Sequence, residues 1–238
     1  MSVITSNIFF SIVLSLIAFE IGLFFYKKTN LPLFNPLLIA IVIVIAFLTA
    51  FHIDFKTYNS GAQFINMFLG PATVVLAVPL YKQFELLKKN AIAIFIGIFF
   101  GTLIGIFSII FLSHSLGLNV SMIVSLMPKS VTTPIGIAIS KEFNGIVPVT
   151  VLAIILSGII GAIVGPTICR ICKITNRIAI GISLGTASHA VGTSKALELG
   201  ETEGAMSSLS IGIAGMMTVF VAPLAFNIAM FIYKLIIH

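Results

Sequence analysis

Two stretches of the sequence combine lysine with hydroxyl side chains and helix-breaking residues. The first contains, in order, Pro128, Lys129, Ser130, Thr132, Thr133 and Pro134. Thr133 followed by Pro134 is a start signal, with Thr133 as N-cap, for a short helix ending near Ser140. The free N–H groups and positive dipole end of such a helix favour an anion, and Lys129 adds a cation beside them. The pattern therefore predicts a site for a small anion.

The second stretch runs from Gly185 to Glu203 and is punctuated by glycine. Thr193 or Ser194 would cap a short helix from Lys195 to Leu199 that Gly200 ends, and Lys195 and Glu198, spaced i, i+3, can pair. We predict that both breaks face one another and clamp one anion. The predicted binding residues are Lys129, Ser130, Thr132, Thr133, Ser188, His189, Thr193, Ser194 and Lys195, with breaks or hinges at Pro128, Pro134, Gly185, Gly192 and Gly200. The alternative is that both lysines lie in interfacial loops and extend to lipid headgroups.

The titratable side chains do not form a catalytic set. Ser188 and His189 are adjacent, but neighbouring residues of a helix point about 100° apart, so they are unsuited to a Ser–His pair. We therefore predict that the protein is not an enzyme. His189 is either a pore-lining or proton-sensitive group or a packed core histidine. Candidates for proton or ion coupling are Glu198, His189 and Glu20.

The two cysteines form a C-x-x-C pattern at residues 169–172 without a second pair to complete a zinc site. We interpret them as free thiols, with a redox role as the minor alternative. No metal or cofactor is predicted.

The composition defines the surroundings of these residues. The chain has 238 residues, of which 59% are hydrophobic and 8% charged, with a net charge of +6. Soluble domains are about 25% charged, so most of this chain is predicted to lie in lipid. Its length allows one domain, residues 1–238, with about six to eight membrane-crossing segments of about 20 residues each. Runs such as 37–51 and 91–112 are apolar on every face, which indicates helices rather than barrel strands.

Apolar runs and breakers divide the chain into segments. Predicted spans cover 7–26, 36–51, 91–112, 145–168 and 205–233, and the run 63–81 reads as a span kinked or split by prolines. Two helices carry glycines at helical spacing, which predicts faces for close helix packing. These glycines are Gly97, Gly101 and Gly105 in one helix and Gly158, Gly161 and Gly165 in the other.

Charge bias predicts the orientation. Short loops rich in lysine and arginine stay cytoplasmic, which places the basic loops at Lys27–Lys28, Lys82–Lys89 and Arg170–Arg177 inside and the uncharged loop 113–120 outside. The segment 121–143 must then cross zero or two times, as expected of two half-helices. Residues 73–84 and 133–143 each run from threonine through apolar residues and proline to lysine and phenylalanine. This order is compatible with an inverted repeat.

Both polar stretches resemble the LrgB/CidB family of bacterial membrane proteins, whose plant relatives are plastidic glycolate/glycerate translocators. The resembling segments read LMPKSVTTPI at 126–135 and GTASHAVGTSKA at 185–196, and the second continues as LELGETEGA. The family pattern has Ala-Arg where this chain has Ser194 and Lys195. That difference keeps the positive charge but replaces a planar two-pronged donor by a point charge.

The resemblance implies an antiholin-like protein of the bacterial inner membrane that modulates murein hydrolase activity and cell lysis with a small LrgA/CidA-like partner. The plant branch implies transport of small monocarboxylates. Since two lysine-bearing breaks suit a carboxylate, the leading hypothesis is a secondary transporter of glycolate, glycerate or pyruvate. The alternatives are a regulator of a holin-like partner that carries no solute, and a passive pore. A homo-oligomer is left open, and no nucleic acid is expected as a partner.

Overall fold

A computed structural model describes residues 7–29 and 34–237 of the chain, which divide into two compact units at residue 76. The described residues are helical, with short turns between the helices. The predicted class, an all-α polytopic membrane protein, is confirmed.

The described part of the first unit contains four α-helices: α1 (Ile8–Thr29), α2 (Pro36–Ala50), α3 (Phe55–Asn66) and α4 (Leu69–Val75). The predicted start of α2 is confirmed, since the Asn35 side chain accepts from the N–H groups of Leu37 and Leu38 at 2.9 and 3.3 Å. Within this unit α1 packs on α2 and α3. Glu20 lies exposed on α1.

The second unit is the larger one and holds both polar stretches. Its helices are α5 (Ala77–Lys82), α6 (Phe84–Ser115), α7 (Val120–Leu126), α8 (Thr133–Glu142), α9 (Val147–Ile171), α10 (Arg177–Leu199) and α11 (Glu201–Ile237). The run 63–81 is divided among α3, α4 and α5, which confirms the predicted split. The stretches 73–84 and 133–143 differ in helix pattern, because only the second contains a single ten-residue helix.

Four of the described helices are long and apolar enough to cross a bilayer, or up to five if the interrupted helices between Phe55 and Lys82 form one span. Large apolar side chains such as Phe95, Phe111 and Phe220 are exposed on these helices. Because lipid is the favourable solvent for such side chains, these surfaces are the lipid-facing ones. In contrast, α7 and α8 have only 7 and 10 residues, so neither can cross alone.

Two apolar clusters hold the second unit together. One joins α6, α7, α8 and α11 and includes Ile110, Ile123 and Ala225. The other joins α6 to α11 through Ile94, Ile98, Met206 and Met217. Between these clusters α6 presents the small residues Gly101, Thr102 and Gly105 to a cavity halfway along the helix.

Glycine has a different role in the two helices where it repeats. In α9 the predicted close packing is confirmed, because an added Cβ at Gly158 would lie 2.6 Å from the His189 ring and one at Gly161 would overlap Ser188. In α6 the packing prediction is confirmed only at Gly101, where an added Cβ would lie 3.2 Å from the Thr186 methyl group. It is wrong at Gly105, where a Cβ would meet nothing within 4 Å, and at Gly97, where it would meet only Ile182, at 3.9 Å.

The predicted basic loop at Lys82–Lys89 is also wrong. Lys88 and Lys89 lie inside α6, which begins at Phe84 after a single connecting residue, Gln83. Lysine is a good helix former, and its charge does not prevent a helix from extending beyond the apolar region. The other basic residues do lie at helix ends: Lys27 and Lys28 in the last turn of α1, Arg170 in the last turn of α9, and Arg177 at the start of α10.

Candidate anion site

The first predicted break is present between α7 and α8. Residues 127–132 form turns, with the N–H of Lys129 donating to the carbonyl of Leu126 at 3.1 Å. The end of α8 at Glu142 agrees with the predicted end near Ser140. The predicted N-cap is wrong: it is Thr132 rather than Thr133, because the Thr132 carbonyl accepts the first helical bond from Gly136 at 3.0 Å. Pro134 therefore occupies the second helical position.

Lys129 is half-buried within this break. Its ammonium donates to the Ser130 hydroxyl at 3.1 Å. Among the residues that the structure describes, no carboxylate forms an ion pair with Lys129. A lysine at the centre of a membrane helix costs about 2.5–3.5 kcal/mol on insertion scales, so a lysine that is half-buried in an apolar bundle without a counterion is a candidate binding group.

Lys129 and Ser130 line a cavity of about 270 Å³. A single water needs roughly 10–15 Å³ of such volume, so the cavity has room for a small anion with part of its hydration. The cavity lies between the two apolar clusters, near the middle of α6 and α11. The other walls combine apolar side chains with small and hydroxyl-bearing residues of α6, α10 and α11. The apolar side chains are Ile106, Met127, Pro128, Val131 and Ile182, and the small or hydroxyl-bearing residues are Gly97, Gly101, Thr102, Gly105, Ser183, Thr186, Ala187, Ala214 and Thr218.

A second cavity, of about 310 Å³, adjoins the first and shares Gly97, Ile182 and Ser183 as walls. It extends to Asn90 and Asn176. These asparagines lie near the helix ends that carry Lys89 and Arg177. The second cavity therefore lies between the first one and the basic ends of α6 and α10.

The second predicted break lies in α10, but five residues earlier than expected. The helical backbone is interrupted at Ser188 and His189, where His189 has φ 42° and ψ −135°. Thr193 and Ser194 therefore do not start a helix, and Gly185 and Gly192 lie in helical backbone on either side of the break. The predicted end of the helix at Gly200 is confirmed, since α10 ends at Leu199.

Side-chain contacts explain why α10 breaks at His189. The His189 Nε2 atom is 2.9 Å from the carbonyl oxygen of Ile154 in α9, and the ring lies against Gly158. Past the break, the absence of a side chain at Gly192 lets the chain pass close to the Leu184 carbonyl. Since a positive φ is unfavourable for histidine, these contacts with α9 must hold it.

The structure brings only part of the predicted site together. Of the nine predicted binding residues, Lys129 and Ser130 line the 270 Å³ cavity. Thr132 and Thr133 are half-buried at the start of α8, and Ser188 and His189 are buried at the α10 break. Thr193 is hydrogen-bonded to Ser207 at 2.7 Å, whereas Ser194 is exposed.

The second lysine has a partner. The predicted pairing of Lys195 with Glu198 is confirmed, with the ammonium 2.7 Å from the carboxylate. The residues that the sequence interpretation missed are Thr102, Thr186 and Thr218, which line the cavity from long helices. In the sequence, these threonines are recognisable only as hydroxyl side chains in otherwise apolar helices. A threonine whose hydroxyl bonds a carbonyl of its own helix has the same appearance, so the sequence does not distinguish the two.

The break around Lys129 is also held from α9, which gives a testable expectation. The Ser157 hydroxyl donates to the Lys129 carbonyl at 2.6 Å. We expect Ser157→Ala to lower the free energy of unfolding by about 1–3 kcal/mol, because a carbonyl outside regular helix loses its donor. Thermal unfolding in detergent measures this. Ser108→Ala, which removes an exposed hydroxyl bonded within its own helix at 3.1 Å, is the control, and an equal effect of both variants would contradict the role of Ser157.

Comparison with known proteins agrees with these features. The LrgB-like family model matches residues 15–228. The chain is 38% identical over 220 residues to "Antiholin-like protein LrgB" of Bacillus subtilis (strain 168), covering 92% of this chain and 95% of that one. It is 36% identical over 221 residues to the protein of the same name from Bacillus cereus (strain B4264), covering 92% and 96%.

A further relative is "Uncharacterized protein YxaC" of Bacillus subtilis (strain 168), with 38% identity over 199 residues, 84% of this chain and 86% of that one. No solved structure matches the chain. Since the family model spans most of the sequence and the LrgB relatives align along nearly their whole length, the chain belongs to the LrgB-like family.

Proposed function

We propose that the protein is a secondary transporter of small monocarboxylates of the glycolate, glycerate or pyruvate type. The observation that carries the proposal is the half-buried ammonium of Lys129, which lines a cavity near the middle of two long apolar helices and has no carboxylate partner in the described part of the chain. A bound carboxylate would supply the missing counterion, and Ser130 would add a hydroxyl to the same site.

The arrangement of the helices supports transport more than permanent binding. Broken helices at a midplane site are typical of secondary transporters, in which one part of the bundle moves against another around the bound solute. Both breaks, at 127–132 and at Ser188–His189, contact α9 through Ser157 and Gly158. We propose that rearrangement of these breaks on α9 alternates access to the cavity.

The orientation belongs to the same proposal. We place the protein in the bacterial inner membrane with the basic ends of α1, α9 and α10 in the cytoplasm. The path lined by Asn90 and Asn176 would then lead from the cavity to the cytoplasmic side. Glu198, His189 and Glu20 stay candidates for coupling to a proton or another ion.

Uptake into proteoliposomes tests the proposal. Purified protein should accumulate labelled glycolate or pyruvate faster than protein-free liposomes, with saturation and with inhibition by excess unlabelled substrate. Planar bilayers should show no single-channel conductance, which distinguishes a carrier from a passive pore. Uptake no faster than that of protein-free liposomes for glycolate, glycerate and pyruvate would reject the proposal.

A second candidate function is favoured by the name of the relatives, antiholin-like protein LrgB. In this function the protein assembles with a small LrgA/CidA-like membrane protein, or with further copies of itself, and controls lysis without carrying a solute. The α6 face of Gly97, Gly101 and Gly105 would then receive a partner helix. The discriminating experiment is complementation of a deletion strain: restoration of normal lysis by a transport-inactive Lys129 variant would favour this function over transport.

A further inference from the structure

The two cavities meet at one level of the helix pair α6 and α10. On α6 the walls of the 310 Å³ cavity run from Asn90 to Gly97, and those of the 270 Å³ cavity run from Gly97 to Ile106. On α10 the change from one cavity to the other falls at Ile182 and Ser183, which belong to both walls. The cavities therefore lie in series along these helices, with a junction at Gly97 and Ile182.

Gly97 leaves this junction open on the side of α6. A Cβ added at Gly97 would have one neighbour within 4 Å outside its own helix, a methyl group of Ile182 at 3.9 Å. One added carbon would thus already touch the opposite wall, and a longer side chain would fill the junction. Because glycine in the middle of a helix is less favourable than alanine, α6 gains no stability from Gly97. What glycine provides at this position is the open space.

We propose that the transported anion moves between the two cavities through the junction of Gly97 and Ile182, and that Gly97 sets the width of this passage. The inference rests on the proposed function, because it assigns the route by which the anion reaches Lys129. A narrow apolar constriction between two wider spaces is a device by which membrane transport proteins limit passage.

Polar side chains lie at both ends of the route, which suits a charged solute. Asn90 and Asn176 line the outer cavity, and Lys129 lines the inner one. A side chain added at Gly97 would fill the junction rather than the space beside Lys129, so it should raise the barrier for entry and for exit equally. The association and dissociation rates should then fall together, while the dissociation constant stays the same.

Access to the inner cavity tests the inference without any assumption about the cargo. With both native cysteines replaced by serine, Ala187→Cys places one reporter thiol in a wall that belongs to the inner cavity alone. A negatively charged methanethiosulfonate reagent should modify this thiol in the purified protein. We expect Gly97→Leu to slow the modification about tenfold or more, because the reagent must force its way past an overpacked junction.

A compensating variant and a control keep the result specific to the junction. Ile182→Ala, combined with Gly97→Leu, widens the junction from the opposite side and should restore most of the modification rate. Gly212→Leu on α11 is the matched control, since a Cβ at Gly212 would meet nothing within 4 Å and this residue lines neither cavity. It should leave the rate unchanged.

The exchange of labelled glycolate then connects the passage to transport. In the Gly97→Leu variant, binding and release should both slow about tenfold at an unchanged dissociation constant, in line with the rate expected for the thiol reagent. Slower modification that Ile182→Ala restores, in a protein that binds no glycolate, would keep the passage and reject the proposed cargo. A modification rate unaffected by Gly97→Leu, or a slower rate that Ile182→Ala does not restore, would overturn the passage whether or not glycolate binds.

Discussion

Replacement of Lys129 by alanine should reduce glycolate or pyruvate uptake by proteoliposomes about a hundredfold or more, with little change in folding. Lys129 is the one charged side chain lining the cavity among the described residues. Loss of one partner of a buried charge pair costs about 2–5 kcal/mol of binding free energy, and each 1.4 kcal/mol is a factor of ten. Initial uptake rates, normalised to the amount of reconstituted protein, measure the effect.

Lys141→Ala is the matched control for this experiment. Lys141 lies in the last turn of α8 and is exposed, so its removal should leave uptake unchanged. Uptake by the Lys129 variant within about threefold of the wild type would contradict the assigned site.

Lys195→Ala distinguishes a site with Lys129 alone, as the structure has it, from the clamp of two lysines that the sequence predicts. A clamp of two lysines requires a loss as large as that at Lys129. Because the Lys195 ammonium is 2.7 Å from the Glu198 carboxylate and does not line the cavity, we expect a loss of about threefold or less. A loss of uptake equal to that of the Lys129 variant in the same assay would contradict this expectation and support the clamp of two lysines.

Gly185→Ala should strongly destabilise the protein. An added Cβ would lie 2.9 Å from the backbone Cα and C atoms of Ser207 and closer still to its carbonyl oxygen, so α10 and α11 would have to move apart. Overpacking of this kind costs about 1–3 kcal/mol, and backbone atoms relax less than side chains. With a shift of about 2–4 °C per kcal/mol, we expect the midpoint of thermal unfolding in detergent to fall by about 2–12 °C.

The control for this variant is Gly212→Ala, on the same helix pair. A Cβ at Gly212 would meet nothing within 4 Å, and alanine favours helix more than glycine does, so the midpoint should stay or rise slightly. A Gly185 variant as stable as the Gly212 variant would show that α10 and α11 are not packed through backbone contact.

The length of the apolar runs and the residues at their ends made much of the fold predictable. The long apolar helices, the capped start of α2 and the break between α7 and α8 follow from apolar length and from Asn or Thr preceding proline. The N-cap of α8 was misplaced by one residue because Thr132 and Thr133 are equally good capping residues by type. The first accepted hydrogen bond, which only the backbone reveals, decides between them.

The break in α10 could not be located from local sequence. Glycine, threonine and serine at 192–194 are typical of a helix start, yet the chain stays helical there and breaks at His189. The cause is tertiary: the His189 ring bonds the Ile154 carbonyl, and Gly158 and Gly161 of α9 leave room for the bend. Likewise, nothing in the spacing of Gly97, Gly101 and Gly105 tells a cavity wall from a packed helix face.

The candidate site was predicted in its chemistry but only partly in its residues. Lys129 and Ser130 were identifiable because a cation and a hydroxyl adjoin a proline in an apolar segment. Thr102 and Thr186 were not, because which residues of a long helix line a cavity depends on how the helices pack in the folded protein. The Lys195–Glu198 pair was predicted from spacing. The sequence did not show that Lys195, once paired, lies outside the cavity wall.

The central claim is that the cavity beside Lys129 binds a small carboxylate. The most direct measurement is a high-resolution structure of the purified protein with saturating glycolate. We expect ligand density in the cavity with its carboxylate within hydrogen-bond distance of the Lys129 ammonium. A cavity that contains only water, or a glycolate bound elsewhere on the chain, would contradict the claim.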